Sequence, residues 1–298
     1  MRAIIIFFLA TALIGQMPYR DSEVKHFMPL CDDFTVETAY FTIAHDNSNI
    51  NIVKELFTHS DNVLEQLLEI YGLTSQEEIL IFLSSKLSVD NRKPYIVYGV
   101  EYVEMLNESR GIAWSSGLHV VLTNAEGVGI TALIHELSHF VFEPDIFNKG
   151  GMSELDTKMP LFPNYNSLIR AFNEGIAQIF EHHEVESDRR ITFKYFDEKY
   201  TDYQKNYTAS VKDQLREVEL ESIYSVSKEH RGTKWTHETY LASESLILYM
   251  IDVYGIDALS RFLSTVNFGY FELGISLEKA CGVNPREFQE GWLTWVRS

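Results

Sequence analysis

The chain has 298 residues, 45% of them apolar, enough to bury one large core or two modest ones. Its 25 Lys and Arg stand against 43 Asp and Glu, leaving a net charge of −18. A body this acidic repels polyanions, which argues against nucleic acid or an anionic membrane surface as a partner.

Ala3 to Ile14 is an apolar stretch behind the single positive charge of Arg2. It is short for a membrane span and fits a signal peptide over residues 1–16. The expectation is a secreted or periplasmic protein with no stable membrane span. No small-x-small pair precedes Gln16 or Met17, so an uncleaved N-terminal anchor is the alternative. Export permits a disulfide between the two cysteines, Cys31 and Cys281; free thiols are the other option. The sequons at Asn107 and Asn206 matter only in a eukaryotic secretory route.

Phe34 to Ile43 alternates as a strand does, and Asn51 to Tyr71 carries Val53, Leu56, Phe57, Val63, Leu64, Leu67 and Leu68 at helical spacing. Glu78 to Leu83 reads as a compact buried strand, and Gly111–Trp114 and Leu118–Leu122 as two short strands. Beyond residue 167 the pattern is nearly all helical, at about 167–183, 208–219, 236–254, 256–265 and 284–296. The expected class is α+β. A mixed sheet lobe over 17–142 is followed by a helical lobe over 143–298.

His135-Glu136-Leu137-Ser138-His139 lies within this order, with Ile130 to Ile134 before it and Phe140 to Phe142 after it. On a helix, positions i and i+4 share one face, so both imidazoles aim at one point. That is the reach of a tetrahedral zinc ion, and Glu136 beside them has the chemistry of a general base. Two solvated histidines on a surface helix are the plainer reading, which the apolar flanks disfavour. A catalytic zinc takes three protein ligands. The next candidate is Glu174, on an amphipathic helix marked by Phe172, Ile176, Ile179 and Phe180. Gly175 beside it lowers helix propensity, which points to a close approach or to a plain packing need.

HELSH followed by FNEGIAQIFE resembles the gluzincin metallopeptidases, in particular the aminopeptidase-N-like branch and its small secreted bacterial relatives. The resemblance is specific over roughly 130–181, through His135, Glu136 and His139, then Asn173, Glu174, Gly175 and Ala177. It implies a zincin-like fold with its ligands at the junction of the two lobes. It also implies one Zn2+ held by His135, His139 and Glu174, with Glu136 as general base. Matched by position, Tyr240 donates to the developing oxyanion; His237 is the fallback. The family's Lys-Gly after that Tyr is Ala242-Ser243 here. The family also holds substrate along an edge strand, for which Gly111–Trp114 is the candidate. An ordinary hairpin is the alternative.

The spacing between His139 and Glu174 exceeds the family's, so residues 143–166 form an inserted loop, rich in Gly and Pro, expected near the cleft rim. A metzincin pattern would place a Gly at Phe142 and a ligand at Asp145. Without that Gly, Asp145 reads as a loop residue. The aminopeptidase signature GxMEN is absent, which favours an endopeptidase acting on peptide or protein substrates. The alternatives are an aminopeptidase and a zinc-stabilised, inactive secreted binding or sensory protein. His182-His183 is expected to interact with the negative end of its helix, and the charged stretch 188–205 to be a solvated face. Leu277 to Pro285 with Phe288, Trp292 and Trp295 is expected to pack the C-terminal lobe.

Overall fold

The structure is a computed structural model, and it describes residues 34–45, 50–72, 79–84, 96–97, 100–101, 111–114, 119–123, 129–142, 165–220, 236–265 and 272–298. The expected signal peptide, Cys31, Asn107, Asp145 and the inserted loop at 143–164 lie outside them. The chain divides into two compact units, Met1–Asp61 with Ser75–Phe140, and Asn62–Thr74 with Val141–Ser298. The described part is α+β.

The first unit holds a five-stranded sheet. Its strands are β1 (Phe34–Glu37), β2 (Phe41–His45), β3 (Ile79–Ser84), β6 (Gly111–Trp114) and β7 (His119–Thr123), in the order β1-β2-β3-β7-β6. β4 (Ile96–Val97) and β5 (Val100–Glu101) form a separate antiparallel pair. β3 runs parallel to both β2 and β7, while β1 and β6 pair antiparallel at the ends of the order. Within the unbroken apolar run Ile79 to Leu83, Ile79 and Ile81 are buried. The single strand expected over Phe34 to Ile43 is instead a hairpin. Its turn is held by Asp61: the Thr38 hydroxyl donates at 2.6 Å, Ala39 N at 2.9 Å and Tyr40 N at 3.1 Å. One carboxylate thereby satisfies two backbone N–H groups that the ladder cannot reach.

Helix α1 (Ile50–Tyr71) connects β2 to β3, the crossover that parallel strands require. Val53, Leu56, Val63, Leu64, Leu67 and Tyr71 are buried. Phe57, expected among them, is 52% exposed. Helix α2 (Ile130–Phe142) follows β7. Its first turn starts from Gly129, whose carbonyl accepts from Leu133 N at 3.1 Å. Gly129 has φ +106, a backbone conformation that residues with a side chain rarely adopt, which favours glycine there.

The second unit is helical around α5 (His237–Tyr254). Thr236 and Thr239 form a capping box at its start, and every residue from Leu241 to Met250 is buried. A helix buried on all sides over this length belongs at the centre of its unit. Around it stand α3 (Tyr165–Glu181), α4 (Thr201–Leu215), α6 (Ile256–Thr265), α7 (Glu272–Cys281) and α8 (Pro285–Arg297). Helix α8 opens on Asn284, with Pro285 in the first turn and Glu287 closing a capping box. It anchors to α5 through Trp292 Nε1, which donates to Ser245 Oγ at 2.9 Å, and Trp295 Nε1, which donates to Asp252 at 2.7 Å. The C-terminal aromatics thus pack the unit, as expected. The stretch from 272 to 281, without a helix in the sequence reading, carries α7. There burial pushes the Cys281 thiol up to about 11, with no disulfide to any described residue.

The charged segment 188–205 departs from expectation. β8 (His183–Val185) and β9 (Ile191–Phe193) pair antiparallel, with Ile191, Phe193 and Tyr195 buried. The ring of Phe180 meets Phe193 at 4.9 Å and Phe196 at 5.3 Å. Alternate residues carry the charge outward while three large side chains enter the core, so net polarity hid a strand. Helix α4 likewise begins at Thr201, well before the expected 208.

Candidate metal centre

Helix α2 is buried at every described position except Thr131, His135 and His139, which follow one another at i+4. Its single open stripe is therefore the one that bears both imidazoles. Among the described positions the rest of the helix surface is mostly apolar, and Ser138 is accommodated because its hydroxyl donates to the Ile134 carbonyl of its own helix at 2.7 Å. The His135 and His139 rings lie 4.7 Å apart, nearly perpendicular at 83°. Glu136, between them in sequence, is buried, with 7% of its surface exposed.

His135, His139 and Glu174 form a group that can hold a metal ion: one ligand atom from each lies within 4.8 Å of the others. Ligands about 2.1 Å from a common ion stand at most about 4.2 Å apart, so this spacing is on the scale of one coordination sphere. Two imidazole nitrogens and one carboxylate oxygen suit a borderline divalent cation. Of the five residues expected at the site, these three are brought together.

Glu174 sits in a run of α3, Ala171 to Ala177, that is buried throughout. The reason for Gly175 beside it is visible. A Cβ there would fall 2.2 Å from the Ser243 carbonyl oxygen and 2.7 Å from its carbon. Helices α3 and α5 thus meet at backbone distance, one residue from Glu174. Tyr240 lies in the first turn of α5, half-buried, one turn before Ser243. Among the alternatives, His237 is exposed at the first position of that helix.

The two histidines after α3 part company. His183 Nδ1 contacts the Glu181 carbonyl at 2.8 Å, the helix-end contact that was expected. His182 instead faces α5, with Nε2 2.6 Å from Glu244 Oε1 and Nδ1 2.7 Å from the Tyr203 hydroxyl. Tyr207 donates to Glu244 Oε2 at 3.0 Å. Sequence reasoning missed this cluster. Its signal was a lone carboxylate, Glu244, in the middle of a helix that is otherwise uncharged from Thr239 to Ile251, which burial requires to have partners.

No protein-family model matches the chain, and no curated protein matches it. The functional reading therefore stands on the triad and the motifs that carry it. Among the described residues no helix is long and apolar enough to cross a membrane.

Proposed function

We propose that the chain is a zinc-dependent peptidase of the gluzincin type, secreted or periplasmic, cutting within peptide chains. The observation that carries this reading is the convergence of the His135, His139 and Glu174 ligand atoms to within 4.8 Å. Two imidazoles and one carboxylate leave a coordination place open, as catalytic zinc sites do and structural ones do not. Zinc held there supplies Lewis acidity for a scissile carbonyl and acidifies water to a pKa of about 7.

The remaining chemistry belongs to the chain. Glu136 removes a proton from the attacking water and delivers it to the departing amine. A purely structural metal site has no use for that carboxylate. Tyr240 supplies an O–H donor where negative charge develops on the carbonyl oxygen. β6 ends the order of the described sheet, with β7 as its partner, and its outer edge suits an extended substrate held by main-chain hydrogen bonds. Such recognition tolerates varied side chains and needs no free amino terminus.

The test uses the zinc-loaded protein on amino-blocked and free peptides. Hydrolysis of the blocked peptides should vanish on chelation and return with zinc. Glu136→Gln should keep the metal and lose at least about 10²-fold in rate. Cleavage of free peptides alone would make the enzyme an aminopeptidase. Zinc binding with no turnover on any peptide would replace the enzyme by a zinc-stabilised binding protein. A fully active Glu136→Gln variant would remove the assigned base.

A further inference from the structure

Glu244 is a carboxylate with 1% of its surface exposed, placed inside the fully buried stretch of α5. Burying a charge there adds little net stability even when it is paired. Its two partners come from two other segments: His182 follows α3 directly, and Tyr207 sits on α4, whose Tyr203 in turn reaches His182. A carboxylate only accepts, so His182 Nε2–H donates to Glu244, and Nδ1 is left to accept from the Tyr203 hydroxyl. Burial first, and the Glu244 charge second, hold the Tyr203 and Tyr207 hydroxyls above the ordinary tyrosine range, which keeps both as donors. The arrangement is closed, with each polar atom named here matched to a partner.

Its place in the bundle gives it a task. Helix α3 packs extensively against α5, and two of the contacts bear on Glu174. The first is Gly175 against the Ser243 backbone. The second is His182 against Glu244, the residue next to Ser243. Along α3 these points lie two turns apart, roughly 10 Å of helix rise. The first fixes how closely the helices approach beside Glu174. The second ties the chain at the C-terminal end of α3 to the same stretch of α5 and adds to what holds the line of α3, and α4 braces it through Tyr203 on His182 and Tyr207 on Glu244.

We propose that Glu244 is a positioning residue for the metal ligand Glu174, acting through His182 and the line of α3. The proposal rests on the metal reading of the triad, and its test separates the two. Zinc affinity of the full chain is measured by competition with a chromophoric chelator, well below the unfolding temperature and with helicity checked by circular dichroism. Glu244→Ala should bind zinc at least about tenfold more weakly than wild type, the scale of lost outer-shell support. Glu244→Gln keeps an acceptor for His182 and should recover to within about threefold. A folded Glu244→Ala protein with wild-type affinity and only a lower melting temperature overturns the proposal and leaves the metal reading intact. Equal loss in the Gln and Ala variants overturns it too. A wild type that takes up no zinc overturns the metal reading first. Should Glu244→Ala not fold, Tyr207→Phe removes one donor from the same carboxylate. It should weaken zinc binding roughly threefold, and unchanged affinity in that variant counts against the proposal.

Discussion

Gly175→Ala is the sharpest perturbation of the ligand helix. At an open helical site, Ala in place of Gly stabilises by about 1 kcal/mol through helix propensity. Here the new methyl would stand 2.2 Å from the Ser243 carbonyl oxygen and 3.0 Å from Ile247 Cγ1. The nearest obstacle is backbone, so no side-chain rotation relieves it, and α3 and α5 must separate by about 1 Å to restore van der Waals distance. Overpacking of this kind costs about 1–3 kcal/mol, and a backbone obstacle puts it at the upper end. Against the propensity gain, the net expectation is a loss of about 2 kcal/mol. Gly274→Ala serves as the control: its methyl would meet Pro285 Cγ at 3.6 Å, an ordinary contact. That variant should be stabilised by about 0.5 kcal/mol. Urea unfolding of the metal-free proteins measures both, with the midpoints compared at constant slope so that metal linkage does not enter. A Gly175→Ala protein as stable as Gly274→Ala would refute the claim that α3 and α5 meet at backbone distance.

Two further expectations concern the helical unit. Trp292→Phe keeps most of the buried ring but removes the Nε1–H that reaches Ser245 Oγ at 2.9 Å, and it should cost about 1–3 kcal/mol by chemical denaturation; a cost near zero would mean that the bond contributes nothing. Burial holds the His183 imidazole below its ordinary range, with Lys194 adding to that and the Glu181 carbonyl partly opposing it. The unfolded chain therefore takes up this proton first. His183 contributes its full stability above the unfolded pKa of about 6.5, and loses it as pH falls toward the lower folded value. The drop in unfolding midpoint between about pH 7.5 and about pH 5 should be smaller in His183→Gln than in wild type; equal drops would show that the imidazole is not desolvated.

Legibility of the sequence followed the range of the interactions. Helices α1, α2, α3, α5, α6 and α8 were readable because each carries its apolar pattern within a few turns, and α5 adds a charged residue whose need for partners was visible but unused. The triad was readable for the same reason: i and i+4 histidines share a face by geometry, and Glu174 sits in a motif beside them. What escaped depended on partners far along the chain. The β8–β9 hairpin hides Ile191 and Phe193, and the 3-10 turn Lys194–Phe196 after it hides Tyr195, among charges whose outward direction only the fold reveals. The residue after α3, His182, finds Glu244 only once α3 and α5 are side by side. Phe57 failed in the other direction, because helical spacing marks a face and not whether anything covers it.

Metal content is the measurement that bears most directly on the account. Wild-type protein loaded with zinc and freed of excess should retain about one equivalent, and Glu174→Ala, treated identically, should retain little of it. Wild type and Glu174→Ala with the same zinc content, or no zinc in either, would contradict the convergence of His135, His139 and Glu174 on a single ion.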